Sequence, residues 1–334
     1  MAGGYATRLW PITRSISKPL LPLGSKRIID FIVDQLIELS VVDSIYVTTN
    51  AFYEDQFRQW IDERGCDIEL IVEGTRREEE KLGTIRAMYE AFKIIGDDEY
   101  FVIGGDNVMS LNFKDFFKFY EDKRAPVLAV YELEDIRDVS RFGEVTIDAN
   151  HKITLLREKP NDPKSKLVST ACYIFPKGTL SLLEEYVKSG KKLDSPGYFI
   201  EWLHQKTNVF AFPFTGYWFD IGTPKGYIEA FTAINKGVVR EESSEVSNNS
   251  IVSGSVYLGQ RTSIKGSKIE NSLIWHNSRI EDCVIKNSII LSNIELKNTK
   301  LEWCIIGDYA KIQDIEIKNS VIGEYSKISI TNIS

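Results

Sequence analysis

VYLGQRTSIKGSKIEN (256–271), SLIWHNSRIEDCVIKN (272–287), SIILSNIELKNTKLEW (288–303) and CIIGDYAKIQDIEIKN (304–319) are consecutive stretches of equal length that align position by position. Leu258, Ile274, Ile290, Ile306 and Ile322 recur every sixteen residues; so do Ile264, Ile280, Leu296, Ile312 and Ile328, and Ile269, Ile285, Leu301, Ile317 and Ile333. The spacing within a repeat is six, five and five, which predicts a coil of three short sides with one inward aliphatic residue on each, and coils that stack into three aliphatic ladders. A small residue stands two positions before most ladder residues (Ser267, Ser272, Ser278, Cys283, Ser288, Thr299, Cys304, Ala310, Ser320), as alternation across a strand requires. Val256, Ile294 and Ile315 depart from that rule. Neither a heptad nor a half-exposed strand produces a 6-5-5 rhythm.

The rest of the chain follows a different pattern. Strand-like runs (SIYVTTN, DIELIVE, EYFVIGGD, PVLAVYEL) alternate with helix-like ones (YEDQFRQWIDERG, GTIRAMYEAFKII, NFKDFFKFYEDK) between Ser44 and Leu133, which predicts βαβ units and a mainly parallel sheet. Lys26 to Leu39 places Ile29, Ile32, Leu36 and Leu39 at helical spacing. Shorter strands (EVTID, KITLLRE, STACYIF) and helical segments near 178–188 and 224–235 extend the same domain. The expected organisation is an α/β domain over 1–237, a polar linker over 238–250 containing REESSEVSNNS, and an all-β helix over 251–334.

Composition limits the function classes. A net charge of −7 argues against broad nucleic-acid or membrane-surface binding, so a phosphate site must rely on a few local cations. Cys66, Cys172, Cys283 and Cys304 form no C-x-x-C pair and suit a reducing cytoplasm, the expected location. No signal peptide is evident, and no apolar run approaches the ~18 residues of a membrane span.

The chain opens A-G-G-Y-A-T-R-L, and Lys18 follows in K-P-L-L-P. Small residues let backbone N–H groups approach a phosphate, and Arg8 and Lys18 supply charge. This is neither a Walker loop nor a G-x-G-x-x-G fingerprint. The combined string resembles the signature loop of the sugar-phosphate nucleotidylyltransferases, and the tail resembles the hexapeptide-repeat left-handed β-helix, with two of each three hexads shortened by a residue. The resemblance implies a Rossmann-like nucleotidyltransferase domain followed by a left-handed parallel β-helix. It gives Ala2, Gly3 and Gly4 to the nucleotide, Arg8 to the β/γ-phosphates and Lys18 to the reacting α-phosphate. Ala6 stands where glycine is commoner.

Further matches follow in the family's order. F-V-I-G-G-D-N puts Asp106 at the carboxyl edge of the sheet, where ligands bind in open α/β folds. The resemblance assigns Asp106 and Asp220, in G-Y-W-F-D-I-G-T-P, to Mg²⁺, a hard cation suited to carboxylate and phosphate oxygens. Thr223 before Pro224 is the better helix cap than Asp220. In R-E-K-P, Glu158 takes sugar hydroxyls and Lys159 the sugar phosphate; Gly143 and Thr170 match segments that close over the sugar. Leu82-Gly83-Thr84 matches the turn that holds the nucleobase, so Gly83 and Thr84 are nucleotide binders, without the glutamine that often precedes it.

The reaction implied joins an NTP to a sugar 1-phosphate, with dTTP or UTP and glucose 1-phosphate the first choice by family frequency, and GTP with mannose 1-phosphate the second. A non-catalytic regulatory subunit of the same architecture is the alternative. An acyltransferase in the β-helix, with His276 as its base, conflicts with a rhythm that leaves no room for an acceptor loop. The β-helix is expected to assemble a homo-oligomer, because an open stack edge needs cover. Family members carry an apolar strand before A-G-G, whereas Met1 here occupies the loop's first position. A preceding Val/Ile/Leu-rich segment of roughly six to ten residues should therefore raise both melting temperature and NTP affinity, because a central parallel strand supplies core on two faces. Equal values for the extended and present forms in thermal melts and nucleotide titrations would overturn that placement.

Overall fold

The computed structural model describes residues 1–330. They divide into two compact units: Met1–Gly3 with Ile32–Trp218, and Gly4–Phe31 with the chain from Phe219 onward. This division differs from a boundary at 237, because residues 4–31 and 219–237 pack with the β-helix. Tyr227 donates its hydroxyl to the Pro22 carbonyl at 2.5 Å, and Ser255 Oγ donates to Thr232 O at 3.0 Å.

In the first unit the strand Leu167–Phe175 is the organising element. Val127–Glu132 lies antiparallel on one side of it, followed by Phe210–Phe214 parallel to Val127–Glu132. On its other side the strand forks. Val168 and Ser169 pair with Gly143–Ile147, whereas Cys172 to Phe175 pair with Tyr100–Ile103. A bulge between Ser169 and Tyr173, with Ala171 at φ 55°, marks the fork. Tyr100–Ile103 and Val127–Glu132 thus run parallel to each other, and Leu167–Phe175 is the antiparallel insertion between them.

Successive residues of these strands feed opposite faces. Leu128, Val130, Tyr173 and Phe175 pack with Ile85, Met88 and Phe92 of the helix Thr84–Ile95 and with Phe199 and Leu203. Val127, Ala129, Cys172 and Ile174 pack instead with Phe113, Phe116 and Tyr120 of the helix Phe113–Lys123. The sheet is therefore covered on both faces. The periodic stretch Lys26–Leu39 is helical only over Asp30–Ile37. Tyr46–Asn50 and Glu69–Glu73 form a separate parallel pair. Met1–Gly3 hydrogen-bonds toward both sheets: Ala2 N–H to Thr48 O at 2.8 Å on one side, and Gly105 N–H to Met1 O at 2.8 Å on the other.

The second unit contains the three-sided parallel β-helix. Ile264, Ile280, Leu296, Ile312 and Ile328 are in-register partners, as are Ile269, Ile285, Leu301 and Ile317, and Leu258, Ile274, Ile290, Ile306 and Ile322. Ile333 lies outside the described residues. The small residues before the ladders join coil to coil: Ser267 Oγ accepts from Cys283 N–H at 2.9 Å, and Ser288 Oγ from Cys304 N–H at 3.1 Å.

The segment 238–250 is not a linker. Val238–Arg240 pairs with Val256–Leu258 and Glu245–Val246 with Ser263–Ile264, so the first coil begins at Val238, because its carbonyls and N–H groups complete the ladder of the next coil. The outward positions of the third side, Tyr257, Leu273, Ile289 and Ile305, are buried, whereas the other two sides carry charged residues such as Lys286 and Glu270, 3.3 Å apart. Ile280→Ala should cost about 2–5 kcal/mol in chemical denaturation through a cavity at a packed ladder, whereas Lys286→Ala should change stability by less than ~1 kcal/mol, as exposed ion pairs do.

Candidate functional site

Each unit presents its own set of charged side chains. In the second unit, Ala6 adopts φ 47°, ψ 47°, and its carbonyl accepts from Leu9 N–H at 2.9 Å and Thr13 Oγ1 at 2.9 Å. Left-handed backbone costs a residue with a Cβ roughly 1–2 kcal/mol, which explains physically why glycine suits this position. The turn ends in a 3-10 helix, Thr7–Leu9, that exposes Arg8 while burying Leu9. Lys18 is buried, and a Cβ placed on Gly4 would meet nothing within 4 Å.

Gly222 stands close to both Arg8 and Asp220. A Cβ on Gly222 would lie 2.7 Å from an Arg8 guanidinium nitrogen and 3.0 Å from Asp220 Oδ2. Sequence reading missed this role, although G-T-P placed a glycine within two residues of the aspartate. Thr223, rather than Asp220, caps the helix Pro224–Ile234 by accepting from Gly226 N–H at 3.1 Å.

In the first unit, the fork of Leu167–Phe175 sets the site. Gly104 N–H donates to Ala171 O at 2.9 Å, and Asp106 follows in the turn, with its Oδ1 3.2 Å from where a Gly104 Cβ would stand. Asn107 holds that turn: its amide donates to Gly104 O at 3.1 Å and its oxygen accepts from the Trp218 indole at 2.7 Å.

Beside the fork, Glu158 is buried and accepts from Ser195 Oγ at 2.6 Å. Burial holds its carboxyl above the usual range, against the pull of the Ser195 hydrogen bond and Lys159. A Cβ on Gly143 would stand 3.0 Å from Glu158 Oε2, and one on Gly197 only 1.7 Å away, so both glycines make the space this carboxylate fills. Lys159 sits at φ 49° with its Nζ 3.9 Å from Glu158 Oε1. A lysine held in that sparse region is the kind of backbone strain that gathers at functional sites. Arg157 serves structure: it pairs with fully buried Glu144, which also accepts from the N–H groups of Lys164 and Ser165. Burial pushes the Glu144 carboxyl up, but these donors outweigh it and hold the pKa below its ordinary value.

Other expected site residues are differently engaged. Thr170 is fully buried with its hydroxyl donated to Ala129 O at 3.0 Å, so it supports the bulge and offers no hydroxyl donor to a sugar. Ala2 is buried and spends its N–H on Thr48 O, so it anchors the loop and cannot donate to a phosphate. Gly83, at φ 82°, lies against the Leu193 carbonyl, 2.5 Å from where a Cβ would stand, and Thr84 Oγ1 donates to Asp194 O at 3.3 Å. Gly3 offers its carbonyl to the Asn50 amide at 3.0 Å, and Glu73 Oε1 lies 3.2 Å from a Cβ placed on Gly3. In the β-helix, His276 Nδ1 accepts from Gln260 N–H at 3.0 Å and its ring packs 4.2 Å from Trp275, a bracing role between coils. Among the described residues no group of three or more potential metal ligands clusters.

Residues 1–237 match the family model described as nucleotidyl transferase. The glucose-1-phosphate adenylyltransferase of Thermosipho africanus is 28% identical over 80% of this chain and 70% of its own length. The bifunctional protein GlmU of Methanococcus aeolicus is 27% identical over 79% of this chain and 61% of its own. Among solved structures, an apo UDP-glucose pyrophosphorylase superposes with a TM-score of 0.58 over 70% of this chain and 95% of that one, at 22% identity, a likeness of fold.

Gly222→Ala should push the Arg8 guanidinium aside and weaken triphosphate binding by roughly 10-fold or more, the value of one charge-assisted hydrogen bond. Nucleotide titration with a melting temperature close to wild type is the expected result. Unchanged affinity would separate Arg8 from the ligand.

Proposed function

The chain belongs to the nucleotidyl transferase family, and on that premise we propose that it transfers a nucleotidyl group from an NTP to a sugar 1-phosphate, releasing pyrophosphate. The observation that carries the proposal is the family match over residues 1–237, joined by the side chains present there: Arg8, Lys18, Asp106, Glu158, Lys159 and Asp220. The relatives it matches include sugar-1-phosphate nucleotidylyltransferases, and the enzyme class is that of the EC 2.7.7 type.

The chemistry needs charge and position rather than a base. An oxygen of the sugar phosphate attacks the α-phosphorus in line, the new P–O bond forms as the bond to the β-phosphate oxygen breaks, and pyrophosphate leaves with the electron pair. The nucleophile is already an anion, so no proton has to be removed, which agrees with matched motifs that contain no histidine. Arg8 and Lys18 neutralise the triphosphate, Lys159 holds the acceptor's phosphate, and Glu158 accepts from sugar hydroxyls. Asp106 and Asp220 offer the hard carboxylate oxygens that Mg²⁺ takes, and the ion when bound would add positive charge at the phosphates. Ser195, Gly143 and Gly197 position Glu158, as Gly222 positions Arg8. The sugar is proposed as glucose or mannose.

Asp106→Asn and Asp220→Asn should each lower turnover by about 100-fold or more without loss of fold, since each removes charge and not core volume. Lys159→Ala should chiefly raise KM for the sugar phosphate. Pyrophosphate release measured over pairs of NTP and sugar phosphate checks all three. Its absence with every pair would favour a non-catalytic subunit of this architecture.

A further inference from the structure

Glu73 closes the strand Glu69–Glu73 and is paired in register with Asn50. Its side chain reaches over the neighbouring strand to Gly3, with Oε1 3.2 Å from where a Gly3 Cβ would stand, beside the Asn50 N at 3.6 Å. Asn50 in turn holds the Gly3 carbonyl. Thus a carboxylate abuts the backbone of the glycine loop itself. Glu73 is half-buried, and burial raises its pKa against the opposing charge of the Met1 ammonium. Among the described residues no backbone or side-chain group donates a hydrogen bond to this carboxylate. Glu144 and Glu158 in the same unit both have donors.

A carboxylate partly withdrawn from water without donors loses some hydration uncompensated, and a ligand that supplies donors restores it. An ionised carboxylate only accepts hydrogen bonds, and its two oxygens take two parallel N–H groups best. It repels a triphosphate, which leaves the ribose hydroxyls and the uncharged base as the parts of the nucleotide that donate to it, and of the two only the base offers N–H groups. Among nucleobases, guanine alone presents two adjacent donors on its pairing edge, the ring N1–H and the exocyclic amino group. Uracil and thymine flank their one N–H with carbonyls whose lone pairs would face the second carboxylate oxygen. Adenine and cytosine place a ring-nitrogen acceptor beside the amino group.

We propose that Glu73 reads the pairing edge of guanine and makes GTP the nucleotide donor. The inference rests on nucleotidyl transfer as the activity, and it displaces dTTP and UTP from first place.

The test uses the full chain in a pyrophosphate-release assay with GTP, dTTP, UTP, ATP and CTP, each against glucose 1-phosphate and mannose 1-phosphate, together with nucleotide binding by calorimetry in the absence of sugar. The expected kcat/KM and affinity for GTP exceed those for every other NTP by roughly 10-fold or more, the worth of one good bidentate contact to a base. Glu73→Gln should abolish most of that preference, lowering the GTP values by a similar factor while leaving those for UTP and dTTP equal or higher, since an amide offers a donor to a pyrimidine carbonyl. A wild-type preference for a pyrimidine or adenine nucleotide overturns the proposal. So does an equal loss with all NTPs in Glu73→Gln, which would assign Glu73 to the ribose, a metal or the fold. If no sugar phosphate is consumed, the reading of the activity fails, and the binding measurement still decides whether Glu73 selects guanine.

Discussion

A backbone group taken out of water must find a partner, and this requirement shapes both units. In the β-helix it keeps the coils in register, sixteen residues apart from Tyr257 onward, because each strand's N–H and carbonyl groups are satisfied by the matching position one coil on. The corners follow from the same rule. Asn271, Asn277, Asn287, Asn293, Asn298 and Asn319 turn at φ between 44° and 61°, a region that asparagine tolerates better than branched residues. Ser267, Ser272, Ser278 and Ser288 then use their hydroxyls to join buried N–H groups between coils. In the α/β unit the same requirement makes Leu167–Phe175 change partners at a bulge, and the fork leaves Gly104, Gly143 and Glu158 close to that break in the ladder.

The charged side chains are placed as much by missing atoms as by contacts. Gly143 and Gly197 leave the volume that the Glu158 carboxylate fills, and Gly222 leaves the volume for the Arg8 guanidinium. A methyl group at any of these positions would meet a charged atom at 3.0 Å or less, so each glycine leaves space that the neighbouring charged side chain occupies. A charge already aimed costs no reorganisation when a reaction begins, which is the advantage of holding the Glu158 carboxylate in a fitted space. Gly323 shows the same economy within the β-helix, where a Cβ would stand 3.1 Å from the Pro11 ring, so the loop that carries Arg8 rests directly on a late coil.

What the sequence made legible was whatever repeats or is local. The ladders came through residue by residue, since a sixteen-residue period survives every local accident, and so did the helices Glu54–Arg64, Thr84–Ile95 and Phe113–Lys123. Val238–Arg240 was misread as linker because the first coil lacks the Ile and Leu spacing and is defined only by its pairing with Val256–Leu258. The third side of the β-helix was also visible in principle: its strands read LI, II and II where the other sides read RIE or KIE. Resemblance singled out Arg8, Asp106, Glu158, Lys159 and Asp220, together with Thr170 and Ala2. A motif does not say whether a side chain or N–H is already spent on the backbone, as the Thr170 hydroxyl and the Ala2 N–H are. The contacts of Gly197 with Glu158, of Gly222 with Arg8 and of Glu73 with Gly3 span long stretches of chain that no local pattern records.

The acidic balance of the chain sharpens the electrostatic argument. A protein of net charge −7 offers no general attraction to polyanions, so triphosphate binding must come from cations whose own counter-charges are arranged not to cancel them. Three carboxylates of the first unit, buried to different degrees, illustrate three solutions. Glu144 is saturated by Arg157 and two N–H groups and is thereby removed from the chemistry. Glu158 is half satisfied, by the Ser195 hydroxyl at one oxygen, which leaves its second oxygen without a hydrogen-bond donor among the described residues. Glu73 has no donor among the described residues and so remains the most demanding of the three. Of the three, a carboxylate oxygen that lacks a donor is the one that the N–H or O–H groups of a ligand would satisfy.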